Sequence, residues 1–180
     1  DLLVWTTTPW TLVSNTAVAA NPEVDYVVVS RDADRFVVAA ALVEAALGEG
    51  WTVEDTLSGR SMERWTYSRP FNLVDIPDAH YVVLDGYVTT EDGTGLVHQS
   101  PAFGADDLRI CRTYGLPVVN PVRRDGHFEA DVPLVGVQFF KKADADLVAY
   151  LSARGLLFKH LPYEHSYPHC WRFHTALLYY

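Results

Sequence analysis

Cysteine is scarce in this chain of 180 residues, occurring only at Cys111 and Cys170. Two thiols so far apart in sequence argue against a disulfide framework and fit a reducing compartment, so the expected location is cytoplasmic. Long apolar runs are missing. None approaches the roughly 20 residues that span a bilayer, and the chain reads as soluble with no membrane partner. There is no basic segment followed by an apolar core, as a secretory leader would have. Cations are few: 14 Lys and Arg stand against 23 Asp and Glu, a formal net charge of −9. That balance argues against a broad basic surface for gripping a nucleic-acid duplex. It does not exclude a pocket for a single nucleotide end.

What is present is ample apolar material. Hydrophobic residues make up 49% and charged residues 21%, enough for a packed core in one domain over 1–180. The chain starts in a strand-like segment and stops at Leu177-Leu178-Tyr179-Tyr180. Both ends read as cut from a larger protein.

Residues 1–8 read as a strand ended by Pro9, which has no amide hydrogen for a ladder. Ala17 to Ala20 reads as a short strand. Asp25 to Ser30 and Arg35 to Val38 read as a hairpin. Ala39 to Leu47 reads as a helix stopped by Gly48, and Trp51 to Leu57 as a strand. An irregular crossing follows to Ala79. His80 to Thr90 reads as a strand interrupted at Gly86. Further on come a helix over Ala105 to Tyr114, a buried strand over Leu116 to Val122 and a turn at Arg124-Asp125-Gly126. A helix over Ala143 to Arg154 and a strand over Leu156 to Leu161 complete the pattern. The fold class is mixed α/β: a barrel-like twisted sheet with helices packed outside.

Two stretches carry the chemistry. In Trp5-Thr6-Thr7-Thr8-Pro9-Trp10-Thr11-Leu12 the threonines are good strand formers first. Their hydroxyls, next to backbone freed by Pro9, can also hold a sugar or a carbonyl oxygen. They are poor nucleophiles without a base. In Gly93 to Asp107, a glycine turn leads into an apolar strand ending at His98. A Pro/Gly loop then opens a helix on Asp106 and Asp107. Both acids suit a helix start. One of them can face a pocket and hold an ammonium group. His98 is equally a structural histidine or a pocket lining. Ser100 lacks a nucleophile elbow. In the tail, His165, His169, Cys170 and His174 lack the paired spacing of a zinc site, so no metal is expected.

The threonine segment, with Asn15 just beyond it, resembles that of the editing domain inserted into isoleucyl-tRNA synthetases. The Gly93–Asp107 stretch resembles that domain's second motif. His165-Ser-Tyr-Pro-His-Cys-Trp-Arg172 resembles the strands, here within 163–180, that rejoin the catalytic body. Valyl and leucyl counterparts read Thr-Thr-Arg-Pro where this chain has Thr7-Thr8-Pro9-Trp10, and they lack His98. Relatives often carry Cys-x-x-Cys in the tail, where Phe173 replaces the second cysteine here. The resemblance implies a β-barrel-like fold with surrounding helices that hydrolyses valine misattached to isoleucine tRNA, and clears valyl-adenylate, without a cofactor. It implies that Asp107 binds the α-ammonium and that His98 lines the side-chain pocket and excludes isoleucine. Thr6, Thr7 and Thr8 would hold the ester, the terminal adenosine and the attacking water. Trp10 would wall the adenosine, and Asn15 would assist. The implied partners are the 3′ end of the mischarged isoleucine tRNA, valyl-adenylate and the catalytic body of the same synthetase. Three other readings share these residues: a non-catalytic module binding a tRNA end, the editing domain of valyl-tRNA synthetase, and a metal-binding module built on the tail.

Overall fold

Consecutive valines build the first sheet. In the computed structural model, which describes residues 1–161 and 171–172, the central strand β2 (Asp25–Arg31) buries Tyr26, Val27 and Val29. It pairs antiparallel with β3 (Asp34–Ala39) and β4 (Thr52–Ser58), with a bulge between Val28 and Val29. Between β3 and β4 lie a 3-10 turn and a short helix, α1 (Val43–Leu47), which is less helix than the alanine-rich run predicts.

The second sheet positions the site. Its central strand β1 (Ala17–Ala20) runs parallel to β5 (Tyr81–Leu84) and antiparallel to β6 (Leu96–Gln99). All four residues of β1 are buried, because both of its faces are covered. Val18 and Ala20 join the core under the first sheet. Ala17 and Ala19 pack toward Ile110 and Cys111 of α2 (Ala105–Thr113). A third core forms around α3 (Phe140–Ala153), which buries Phe140, Ala143, Leu147 and Leu151 against Trp10, Val13, Phe71 and Phe128.

The architecture is mixed α/β with helices outside, built as two three-stranded sheets rather than one closed barrel among the described residues. Several local expectations change. Residues 1–8 make only the isolated bridges Leu2↔Val37 and Trp5↔Val97, because the threonines bond locally instead of extending a ladder. Pro9 opens a 3-10 turn over Pro9–Ser14. The strand at β5 stops at Leu84, where the Asp85 carboxylate takes the amide of Tyr87 and turns the chain. Leu116–Val122 joins no sheet; Pro117 and Pro121 withhold amides, and only a Val122↔Phe128 bridge remains. Leu156–Leu161 also forms no strand, and α3 begins earlier than the spacing predicts, at Phe140. The expected tail strands over 163–180 fall outside the described residues, apart from Trp171 and Arg172. No described helix is long and apolar enough to cross a membrane.

Candidate hydroxyl-lined site between the two motifs

The threonine segment crosses the end of β6, and a cavity of about 300 Å³ opens between them. Trp5, Thr6, Thr7, Thr8 and Thr11 line one side; Val97, His98, Ser100, Phe103, Gly104 and Asp107 line the other. The threonines form a connected set. The Thr8 amide donates to Thr6 Oγ1 at 3.1 Å, and Thr8 Oγ1 lies 3.2 Å from Thr11 Oγ1. The 3-10 turn makes this possible: its three-residue repeat puts Thr11 over Thr8, whose carbonyl accepts the Thr11 hydroxyl at 2.8 Å.

That proton decides the next contact. Thr11 Oγ1 also stands 2.9 Å from His98 Nε2. A hydroxyl has one proton, and here it goes to the Thr8 carbonyl, so the imidazole must be the donor at Nε2. His98 is then the Nε2–H tautomer with an acceptor at Nδ1, an atom with no hydrogen-bond partner among the described residues. Burial pushes its pKa down to about 4, so the ring is neutral near pH 7.

Asp107 lies in the first turn of α2, and its carboxylate folds back over Gly104. Its Oδ2 accepts the Ser100 amide at 2.7 Å. Burial raises its pKa to about 6, against the opposing pull of the Ser100 amide and its own. Glycine at 104 is a steric requirement: a Cβ there would lie 2.9 Å from the Asp107 carboxyl carbon. Asp106 points away, exposed, and pairs with Arg109. The choice between the two acids thus falls to Asp107. Behind it, the Ser14 and Ser100 hydroxyls meet at 2.7 Å, fully buried. From the far side α3 closes the turn: Asp144 Oδ1 accepts the Trp10 amide at 2.9 Å.

Two expected site residues do not reach the cavity. Trp10 is buried in the α3 core, its ring 4.6 Å from those of Phe103 and Phe140, because the 3-10 turn swings it inward. Asn15 is also buried: its amide donates to the Ala17 carbonyl and its oxygen accepts the Tyr67 hydroxyl at 2.6 Å, which ties the turn to β1. Thr6, Thr7, Thr8, His98 and Asp107 do come together. Sequence reasoning missed Thr11 and Phe103; the three-residue step from Thr8 after a proline was the available signal for Thr11. Among the described residues no group of His, Cys, Asp and Glu could hold a metal ion. The expected non-ligands His165, His169, Cys170 and His174 lie outside them.

No protein-family model matches the chain. Isoleucine–tRNA ligase of Streptomyces avermitilis is 72% identical over 181 residues, covering 99% of this chain and 17% of that protein. The enzyme of the same name from Thermus thermophilus is 44% identical over 180 residues, covering the whole chain and 17% of that protein. The chain belongs to the isoleucyl-tRNA synthetase family. It spans about 17% of the length of these relatives. Its fold is shared with solved domains of leucyl-tRNA synthetases. The crystal structure of GlLeuRS-CP1 superposes with a TM-score of 0.71 at 15% identity, over 92% of this chain and 84% of that one. The Plasmodium falciparum cytosolic leucyl-tRNA synthetase editing domain gives 0.51 at 14% identity, over 63% and 47%. At such identity the likeness is one of fold.

Proposed function

We propose that the cavity hydrolyses the ester of valine misattached to the 3′ end of isoleucine tRNA, and also accepts valyl-adenylate. The observation that carries this reading is one small cavity holding a half-buried carboxylate, a neutral imidazole and a row of hydroxyls. Asp107 binds the α-ammonium. Its carboxylate has lone pairs to spare beyond the Ser100 amide. His98 bounds the side-chain pocket and leaves no room for the extra methylene of isoleucine. A second sieve is needed because one methylene is worth only about 1–3 kcal/mol, a range for which isoleucyl-tRNA synthetase is itself the standard example.

Water is the nucleophile in this reading. His98 is a donor to Thr11 rather than its base, and the Ser100 hydroxyl meets another serine. The threonine hydroxyls orient water against the ester carbonyl. The water oxygen bonds to that carbon, the bond to the ribose oxygen breaks, and a proton passes to that oxygen with help from the neighbouring ribose hydroxyl. Catalysis is then positioning and electrostatics. Phe103 and Trp5, not Trp10, supply the aromatic walls of the cavity. The rest of the synthetase would grip the duplex, as the net charge of −9 requires.

Deacylation of valyl-tRNA for isoleucine, beside isoleucyl-tRNA, tests the reading. Selective release of valine is expected. Tight binding of a valyl-adenosine amide analogue without any turnover of the ester would instead establish the non-catalytic binding module.

A further inference from the structure

The ladder between β1 and β6 ends at the pair Ala17 and Gln99. Beyond it the two chains part: one side is the 3-10 turn, the other the loop that leads to α2. Two hydroxyls span that fork. Ser14 Oγ and Ser100 Oγ meet at 2.7 Å, and their residues are 0% and 1% exposed, so bulk water cannot stand in for either. Ser14 Oγ also donates to the Thr11 carbonyl at 3.3 Å. Its one proton is then spent, and Ser100 is the donor within the pair. Ser100 lines the cavity, whereas Ser14 lies behind it.

We propose that the Ser14–Ser100 pair is a positioning device for Asp107: it holds the Ser100 amide against the Asp107 carboxylate and so keeps that carboxylate set for a substrate ammonium group. This rests on the reading of Asp107 as the ammonium site. Three observations carry it. The Ser100 amide reaches Asp107 Oδ2 at 2.7 Å. The Ser100 carbonyl accepts the Phe103 amide at 2.9 Å, so its main chain is engaged within the second motif and its hydroxyl supplies the tie to the first. The contacts also form one connected path: Asp107, Ser100, Ser14 and Thr11 lead to His98, which Thr11 meets at 2.9 Å. The carboxyl itself reports on the tie. Burial pushes its pKa up and the Ser100 amide is the strongest pull the other way, so a looser amide shows as a carboxyl that is harder to ionise.

Carboxyl-carbon NMR follows the titration of Asp107, with Asp107→Asn assigning its signal, in the wild type, in Ser14→Ala and in the double variant Ser14→Ala/Ser100→Ala. The midpoint is expected to move from about 6 in the wild type to about 7 in Ser14→Ala. For the valyl ester, kcat/KM should then fall about fivefold at pH 6 and stay within about twofold at pH 8, where the carboxyl is ionised in both proteins. Denaturation separates positioning from packing. Ser14→Ala leaves a buried hydroxyl unpaired and should lower the unfolding midpoint; the double variant removes both hydroxyls and should regain most of that loss, while its Asp107 midpoint stays raised. An unchanged Asp107 midpoint in Ser14→Ala overturns the proposal. So does a wild-type midpoint in the double variant, or a loss of activity equal at the two pH values. If Ser14→Ala fails to fold, the Asp107 midpoint of the double variant decides alone. A wild type that titrates as expected but never cleaves the ester overturns the hydrolase reading, and the NMR midpoints still decide the serine pair.

Discussion

Thr11 and His98 meet at 2.9 Å, and that contact joins the two motifs through a single proton assignment. Thr11→Val keeps the shape and removes the acceptor. A buried imidazole N–H is then unpaired, which costs about 1–3 kcal/mol. Chemical denaturation should read that loss. The same variant should blur the distinction between valyl and isoleucyl esters, because the ring can then turn; Thr11→Ser should restore it. A selectivity unchanged in Thr11→Val would remove Thr11 from the positioning of His98.

Asp107→Asn should leave the fold in place and lower kcat/KM for the valyl ester by about 10- to 100-fold, the value of one charge-assisted hydrogen bond. In the wild type, activity should fall as pH drops through about 6, where Asp107 takes up its proton. Steady-state kinetics across pH 5 to 8 would show the step, and its absence would detach activity from this carboxylate.

The same two buried groups set opposite pH dependences of stability. The folded pKa of Asp107 is raised from 3.8 to about 6, so its ionisation weakens the fold progressively as pH rises through that window. The folded pKa of His98 is lowered from 6.5 to about 4, so the fold weakens as pH falls through nearly the same window. Asp107→Asn should therefore gain stability relative to wild type between pH 4 and 6. His98→Asn should make the protein less sensitive to acid. Melting curves at pH 4.5 and 7 decide both, and parallel shifts at the two pH values would contradict the assignment.

Asp144→Ala releases the Trp10 amide at the start of the 3-10 turn. The cost expected is about 0.5–2 kcal/mol, as for a lost helix cap. Because the turn carries Thr11, KM should rise as well. Asp144→Asn, which keeps an acceptor, should recover most of both.

Gly104→Ala tests the approach of the Asp107 carboxyl over the loop. The added Cβ lies 2.9 Å from that group, so the carboxyl must move. Activity should drop more than tenfold, with global stability changing by less than about 1 kcal/mol. Crystallography of the variant would show whether Asp107 had swung outward.

The parts legible in the sequence are those where one local rule acts alone. The valine runs of β2 and β3 are strong strand formers, and they pair as the antiparallel hairpin of the first sheet. His98 lies one residue before the end of β6, and Asp107 in the first turn of α2, close to where the motif spacing puts them. The threonine segment misleads because β propensity and local hydroxyl bonding compete there, and Pro9 tips it into a 3-10 turn. That turn sends Trp10 into the α3 core and brings Thr11 to the histidine, neither of which a strand reading can foresee. Asp106 and Asp107 are equivalent in sequence; only the fold-back over Gly104 separates them. Asn15 looks like a site residue but is engaged by a tyrosine 52 positions later, beyond the reach of local reasoning.

The pairing of β1 with β6 sets His98 opposite Val18, while Gln99 sits opposite Ala17 and reaches the Tyr87 hydroxyl on the reverse face. Chemistry here is counted in steps of the pleat. One residue added or removed between Gly95 and His98 would turn the imidazole toward α2 and offer the cavity a neighbouring side chain instead. The segment can change letters at many positions and still fold. Its length, by contrast, works as a ruler, and a variant that kept every motif residue but altered that length would present the wrong side of the strand to its substrate.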